Sequence, residues 1–82
     1  MPTIAQVGPY RVFFYSNEGH EPPHVHIERD DAVAKFWLAA VDLANNNNFR
    51  THELTRLQRL VVENQQEWLE KWHEFHRNPP AS

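Results

Sequence analysis

The chain contains no cysteine. That excludes disulfide staples, a thiolate nucleophile and thiolate zinc ligands. Its longest wholly apolar runs are a few residues, far below the ~20 needed to cross a bilayer. The start, Met1-Pro2-Thr3-Ile4-Ala5-Gln6, lacks the basic stretch and apolar run of a secretion signal. There is no basic excess either: the formal net charge is −3 with histidines neutral. That balance argues against a general phosphate-backbone binder, while leaving room for a local basic patch. No internal repeat is visible. These absences point to a soluble cytoplasmic protein of bacterial type. Its 82 residues fit one domain, expected over 1–78 with a disordered tail at 79–82. Such a domain buries only about 60–65% of its unfolded surface, so its stability margin is thin.

Histidine, by contrast, is abundant, with six in this short chain. Protonating them would reverse the net charge, so the surface should change between pH 7 and pH 5. Two of them mark the most informative stretch, Glu21-Pro22-Pro23-His24-Val25-His26-Ile27-Glu28-Arg29. In a β-strand, alternate side chains point to opposite faces. Val25 and Ile27 then face one way, and His24, His26 and Glu28 the other. The double proline stiffens the approach to the strand and can fix the orientation of His24.

The first half reads as strands: Thr3 to Val7, Tyr10 to Ser16, His24 to Arg29 and Val33 to Leu38. Gly8-Pro9, Ser16 to His20 and Asp30-Asp31 are turn signals, and the short connections favour an antiparallel meander. Val41 to Ala44 is expected as a short helical turn, and Asn45 to Asn48 as a polar loop. From about Thr51 to Phe75 the period changes. Leu54, Leu57, Val61, Trp68, Trp72 and Phe75 recur at helical spacing, and no Gly or Pro interrupts the run. Thr51 is a candidate N-cap, and Asn78-Pro79-Pro80 a stop. The expected fold class is α+β: a four-stranded, mainly antiparallel meander packed on one face by one long C-terminal helix.

A helix of about 25 residues is ~37 Å long and a six-residue strand ~20 Å, so the helix should overhang its sheet. Trp68, Trp72 and Phe75 on the overhang form a candidate interface with a partner or a second copy. The alternative is that Val41, Leu43 and Phe49 fold back over them.

Alternation assigns Val12, Phe14, Val25, Ile27, Ala34, Phe36 and Leu38 to the core face. It leaves Arg11, Phe13, Tyr15, His24, His26, Glu28, Lys35 and Trp37 on the other. Three functional readings follow. In the first, His24 and His26 act as acid and base on RNA, without metal, with Tyr15 and Lys35 as further catalytic residues. In the second, His24 and His26 chelate a divalent transition metal, with Glu28 or His20 as third ligand. In the third, Phe13, Tyr15 and Trp37 stack bases of a single strand while Arg11 and Lys35 contact phosphates. Beside these stands a plain one: the two histidines are only solvated or hydrogen-bonded, and Glu28 pairs across the hairpin with Lys35.

The run Phe13-Phe14-Tyr15-Ser16-Asn17-Glu18-Gly19-His20-Glu21-Pro22-Pro23-His24-Val25-His26-Ile27-Glu28 resembles the signature of a small bacterial family, domain of unknown function 4160. The likeness continues through Ala34-Lys35-Phe36-Trp37-Leu38, Glu53-Leu54 and Glu63-Asn64 to Trp72. It marks Glu21, Pro22, Pro23, His24, His26 and Trp72. Members of that family usually neighbour a partner of another family, domain of unknown function 2442. The resemblance therefore implies the toxin component of a type II toxin–antitoxin module, with a small antitoxin-like partner. Two further roles stay open: a non-catalytic interaction module, homodimeric or partner-bound, and a metal-binding regulatory protein. This chain departs from the family's habit at Ala39-Ala40 (often Asp-Pro), at Asn48 (often Gly) and at Arg50 (often a small hydroxyl residue).

Overall fold

A computed structural model describes residues 3–77. The expected proline stop and the tail at 79–82 lie outside the described residues. The element order is β1 (Thr3–Val7), β2 (Tyr10–Phe13), a 3-10 turn (Ser16–Glu18), β3 (His24–Arg29), β4 (Ala32–Trp37), β5 (Asp42–Asn47) and α1 (Thr51–Arg77). The strands form one antiparallel sheet in the order β1-β2-β3-β4-β5. The meander and the single long helix are as expected, but the sheet has five strands, not four.

The additional strand is β5, in the segment expected as a helical turn and polar loop. It is an edge strand, exposed along nearly its whole length, so no apolar alternation marks it. Leu43, one of the residues of the alternative fold-back over the helix end, is exposed there. The asparagines behave as their chemistry suggests within it. Asn46 brackets Phe49, accepting from its N–H and donating to its C=O, both at 3.1 Å. Asn48 donates to the Asp31 carbonyl at 3.1 Å. It stands at φ +75°, a left-handed backbone that Asn tolerates and Gly adopts freely.

Register confirms the two-faced sheet. Val12, Ile27 and Ala34 lie side by side across β2, β3 and β4, and Val25 lies beside Phe36. These residues, with Phe14 and Leu38, are buried against Leu57, Val61, Trp68 and Trp72 of α1. At 27 residues the helix is ~40 Å long, matching the molecule's longest dimension of 40 Å. Its glutamines also close backbone groups. Gln65 donates to the Leu38 and Ala39 carbonyls, and Gln58 to that of Val41. This helps hold Val41 at φ +54°, an uncommon conformation for a β-branched residue.

The helix does not overhang as expected. Trp68 and Trp72 are 1% and 3% exposed, and Phe75 packs against the core from the side. The residues 14–24 that follow β2 cover this end. The rings of Phe14 and His24 lie 5.2 and 4.7 Å from that of Trp72. The aromatic surface expected to await a partner is therefore closed within the chain. Among the described residues, no helix is long and apolar enough to cross a membrane.

A candidate metal centre of Glu18, His24 and His26

The β2–β3 connection folds back over the start of β3. Its backbone turns at two carbonyls, with Glu18 N–H bonding to Tyr15 C=O at 3.2 Å and Glu21 N–H to Glu18 C=O at 3.0 Å. This carries Glu18 across the two imidazoles. One carboxylate oxygen, Oε1, accepts from His24 Nε2 at 2.7 Å and from His26 Nε2 at 3.1 Å. The two rings share a side of the strand, as alternation requires, with centroids 5.2 Å apart.

That shared side does not face water. His24 is 0% exposed, roofed by the connection and touched by Trp72 and Trp37. His26 is mostly covered, with Tyr15 edge-on at 4.9 Å and Phe13 stacked at 5.3 Å. Burial holds the His26 imidazole below its ordinary value despite the opposing pull of Glu18. Burial also pushes the Glu18 carboxyl upward, but hydrogen bonds from the two histidines outweigh it, and the net direction is down.

The ring of His24 carries a chemical constraint. Its Nδ1 lies 3.0 Å from the Pro22 carbonyl and its Nε2 2.7 Å from the Glu18 carboxylate. The carbonyl can only accept, and so can the carboxylate when ionised. A neutral imidazole has one N–H, so satisfying both contacts takes a further proton or a cation at Nε2. An imidazole with Nδ1–H on a backbone carbonyl and Nε2 beside a carboxylate is also oriented as metal ligands are. The three ligand atoms lie within 4.8 Å of one another.

Other expected site residues are placed differently. Glu28 does not join His24 and His26. It sits beside Arg11 in register and pairs with its guanidinium, because Glu28 lies two residues further along the strand than His26. The cross-hairpin pair with Lys35 is absent as well: Lys35 faces His26 in register and donates to Glu21 at 2.7 Å. That bond chiefly lowers the Glu21 carboxyl. His20 is exposed and only 3.9 Å from Glu21. Phe13 is 2% exposed, closed between the His26 ring and the Arg11 guanidinium, so it offers no face to a base. Trp37 is half-buried, with Lys35 Nζ 4.6 Å from its ring centroid. Tyr15 is 38% exposed.

Two residues were missed. Glu18 lies in a turn whose composition announces only a turn; the available signal is a carboxylate on the short connection leading to a His-x-His strand. His76 lies in the last turn of α1, with its ring 4.1 Å from Trp72 and its Nε2 buried without a partner. Burial lowers its imidazole, and so does the charge of His24. Gly19 lies flat on this ring: a Cβ there would come within 2.7 Å of His76 Nδ1.

The family model described as Domain of unknown function (DUF4160) matches residues 10–73. The chain belongs to that family. No curated protein and no solved structure matches it. The DUF4160 match runs from the first residue of β2 into the last turns of α1. It therefore includes Glu18, His24, His26 and Trp72, and leaves out β1 and His76.

Proposed function

We propose that this chain is a metal-binding regulatory protein in which Glu18, His24 and His26 hold one divalent transition ion. The observation that carries this is the convergence of the Glu18, His24 and His26 ligand atoms within 4.8 Å of one another; a cation at Nε2 would also answer the acceptors flanking His24. Two imidazoles and a carboxylate, with no thiolate in the chain, suit zinc, nickel or copper better than calcium or magnesium. The Pro22 carbonyl acts as outer support by fixing the tautomer. Three protein ligands leave at least one position of the ion for water or another ligand.

The test is calorimetric titration of the tag-free chain, stripped with chelator, against each of these ions. One equivalent should bind with heat and raise the melting temperature. At a hundredfold excess over Kd the added stability is about 2.7 kcal/mol. Glu18→Gln and His26→Gln should each weaken binding about 10- to 100-fold or more. Absence of both heat and thermal shift would reject the proposal, as would undiminished binding in both variants.

A second reading, carried by the resemblance, is the toxin component of a type II toxin–antitoxin module with a small antitoxin-like partner. Expression should then arrest growth, the partner should relieve it, and His24→Ala and His26→Ala chains that still fold should be harmless. Direct acid–base attack on RNA is the less supported form of that reading. Its two histidines are covered, its cations Arg11 and Lys35 are already paired with carboxylates, and Phe13 is buried.

A further inference from the structure

We infer, on the metal-binding reading above, that His76 is a positioning residue: seated in the space left by Gly19, it sets how Glu18 meets His24 and His26, and so regulates their hold on an ion. Glu18 has no fixed place until the β2–β3 connection has one. The bonds from Glu18 N–H to Tyr15 C=O and from Glu21 N–H to Glu18 C=O shape residues 15–21 locally. The far end of the connection is tied down separately. Lys35 donates to Glu21 at 2.7 Å, and the Leu38 N–H donates to the Pro23 carbonyl at 3.0 Å. Beside Glu18 itself, the connection meets α1 where Gly19 lies on His76.

Gly19 stands at φ −64° and ψ −14°, right-handed backbone open to any residue. Glycine here therefore answers a need for space, not for conformation. A Cβ would lie 2.7 Å from His76 Nδ1, 3.3 Å from its Cγ and 3.4 Å from its Cε1, so an edge of the imidazole fills the place of a side chain. The ring has little room to withdraw. Trp72, Phe14 and Phe75 surround it at centroid distances of 4.1, 5.3 and 5.2 Å. Its Nε2 is buried with no partner, so that side of the ring acts by shape and not by bonding. Trp72 also lies 4.7 Å from the ring of His24. The end of α1 thus backs two of the three proposed ligands, Glu18 through Gly19 and His24 through Trp72. Close-packed rings transmit a displacement rather than absorb it.

The experiment is a double-mutant cycle on zinc affinity, read by calorimetry on the tag-free, full-length chain. Gly19→Ala should weaken zinc about tenfold, the scale of a lost support around a metal ligand. His76→Ala should weaken it too. In Gly19→Ala/His76→Ala the new methyl enters the vacated place, so the double variant should bind at least as tightly as either single one. Two unrelated structural losses would add instead. His76→Phe, which keeps a ring against Gly19, should bind zinc nearly as tightly as the wild type. By linkage, zinc should slow amide exchange at Glu74 to His76 in the wild-type chain. A wild-type chain that takes no zinc would overturn the metal reading, and this regulation with it. Zinc bound by the wild type with additive losses in the cycle, or with His76→Phe as weak as His76→Ala, would overturn the positioning role alone.

Discussion

At the end of β3, Glu53 is clasped by Arg29 and Tyr10; at its start, Glu18 is clasped by His24 and His26. Each cluster places one carboxylate from a neighbouring segment on two side chains. In the first, guanidinium and phenol place three donors on one carboxylate, and the charges of Arg29 and Glu53 match. The Glu53 carboxyl is lowered to about 2, chiefly by its bonds from Arg29 and then by that from Tyr10. Arg29 is raised in turn by Glu53. Nothing in that cluster asks for a further ion. In the second, one oxygen serves two imidazoles, and both nitrogens of the buried ring point at acceptors. Equal numbers of groups thus give a closed clamp at one end and a histidine–carboxylate cluster at the other. The difference comes from what the donors are: an arginine is always charged, whereas a histidine is charged only when something compels it.

The sharpest way to break the comparison is Trp72→Ala. Trp72 joins Phe14, His24 and His76, whereas the Glu53 end has the smaller Phe49 packed near Tyr10 and Arg29. Its loss should cost about 3–5 kcal/mol in urea unfolding, a large part of a small domain's stability. A cost below about 1 kcal/mol would show that the histidine end stands without it.

Next in size is the response to acid, where the two ends should separate. His26 and His76 are lowered by burial from an ordinary 6.5. The unfolded chain therefore takes up these protons first. Their contribution to stability is complete above pH 6.5 and declines as pH falls below it. Glu53, at about 2 against an ordinary 4.5, contributes fully above 4.5 and loses that contribution between 4.5 and 2. Glu18, also lowered, adds to the same lower window. Urea midpoints at pH 7.5, 5.5 and 3 should fall in two stages, and Glu53→Gln should flatten only the lower one. Equal midpoints at pH 7.5 and 5.5 would contradict this account.

The smallest effect is expected at Glu28→Gln. Its pair with Arg11 is partly exposed on both sides, so the change in stability should be below about 1 kcal/mol. On the proposed Glu18, His24 and His26 site, metal affinity should not move. A clear loss of affinity would return Glu28 to the centre.

The sheet's two faces could be read directly because the pleat leaves no freedom. Once Val25 and Ile27 are inside, His24 and His26 share the other side. The long helix was legible for the same reason, its apolar stripe from Leu54 to Phe75 having a fixed period. β5 was not legible, since an exposed edge strand of asparagines carries no burial pattern. Half of the centre was legible too. The His-x-His pair announced itself, and its carboxylate did not, because Glu28 and Glu18 are equal candidates until the connection is folded.

Alternation and helical period, both local consequences of backbone geometry, were enough to settle the layers, the meander and the common side of two imidazoles. Position along the chain could not settle which acid meets those imidazoles, that they lie under cover, or that Trp68 and Trp72 are closed in rather than displayed. Those outcomes depend on how residues 14–24 fold back against the end of α1. That is a matter of packing between distant segments, and it is fixed only when the whole chain competes for the same buried space.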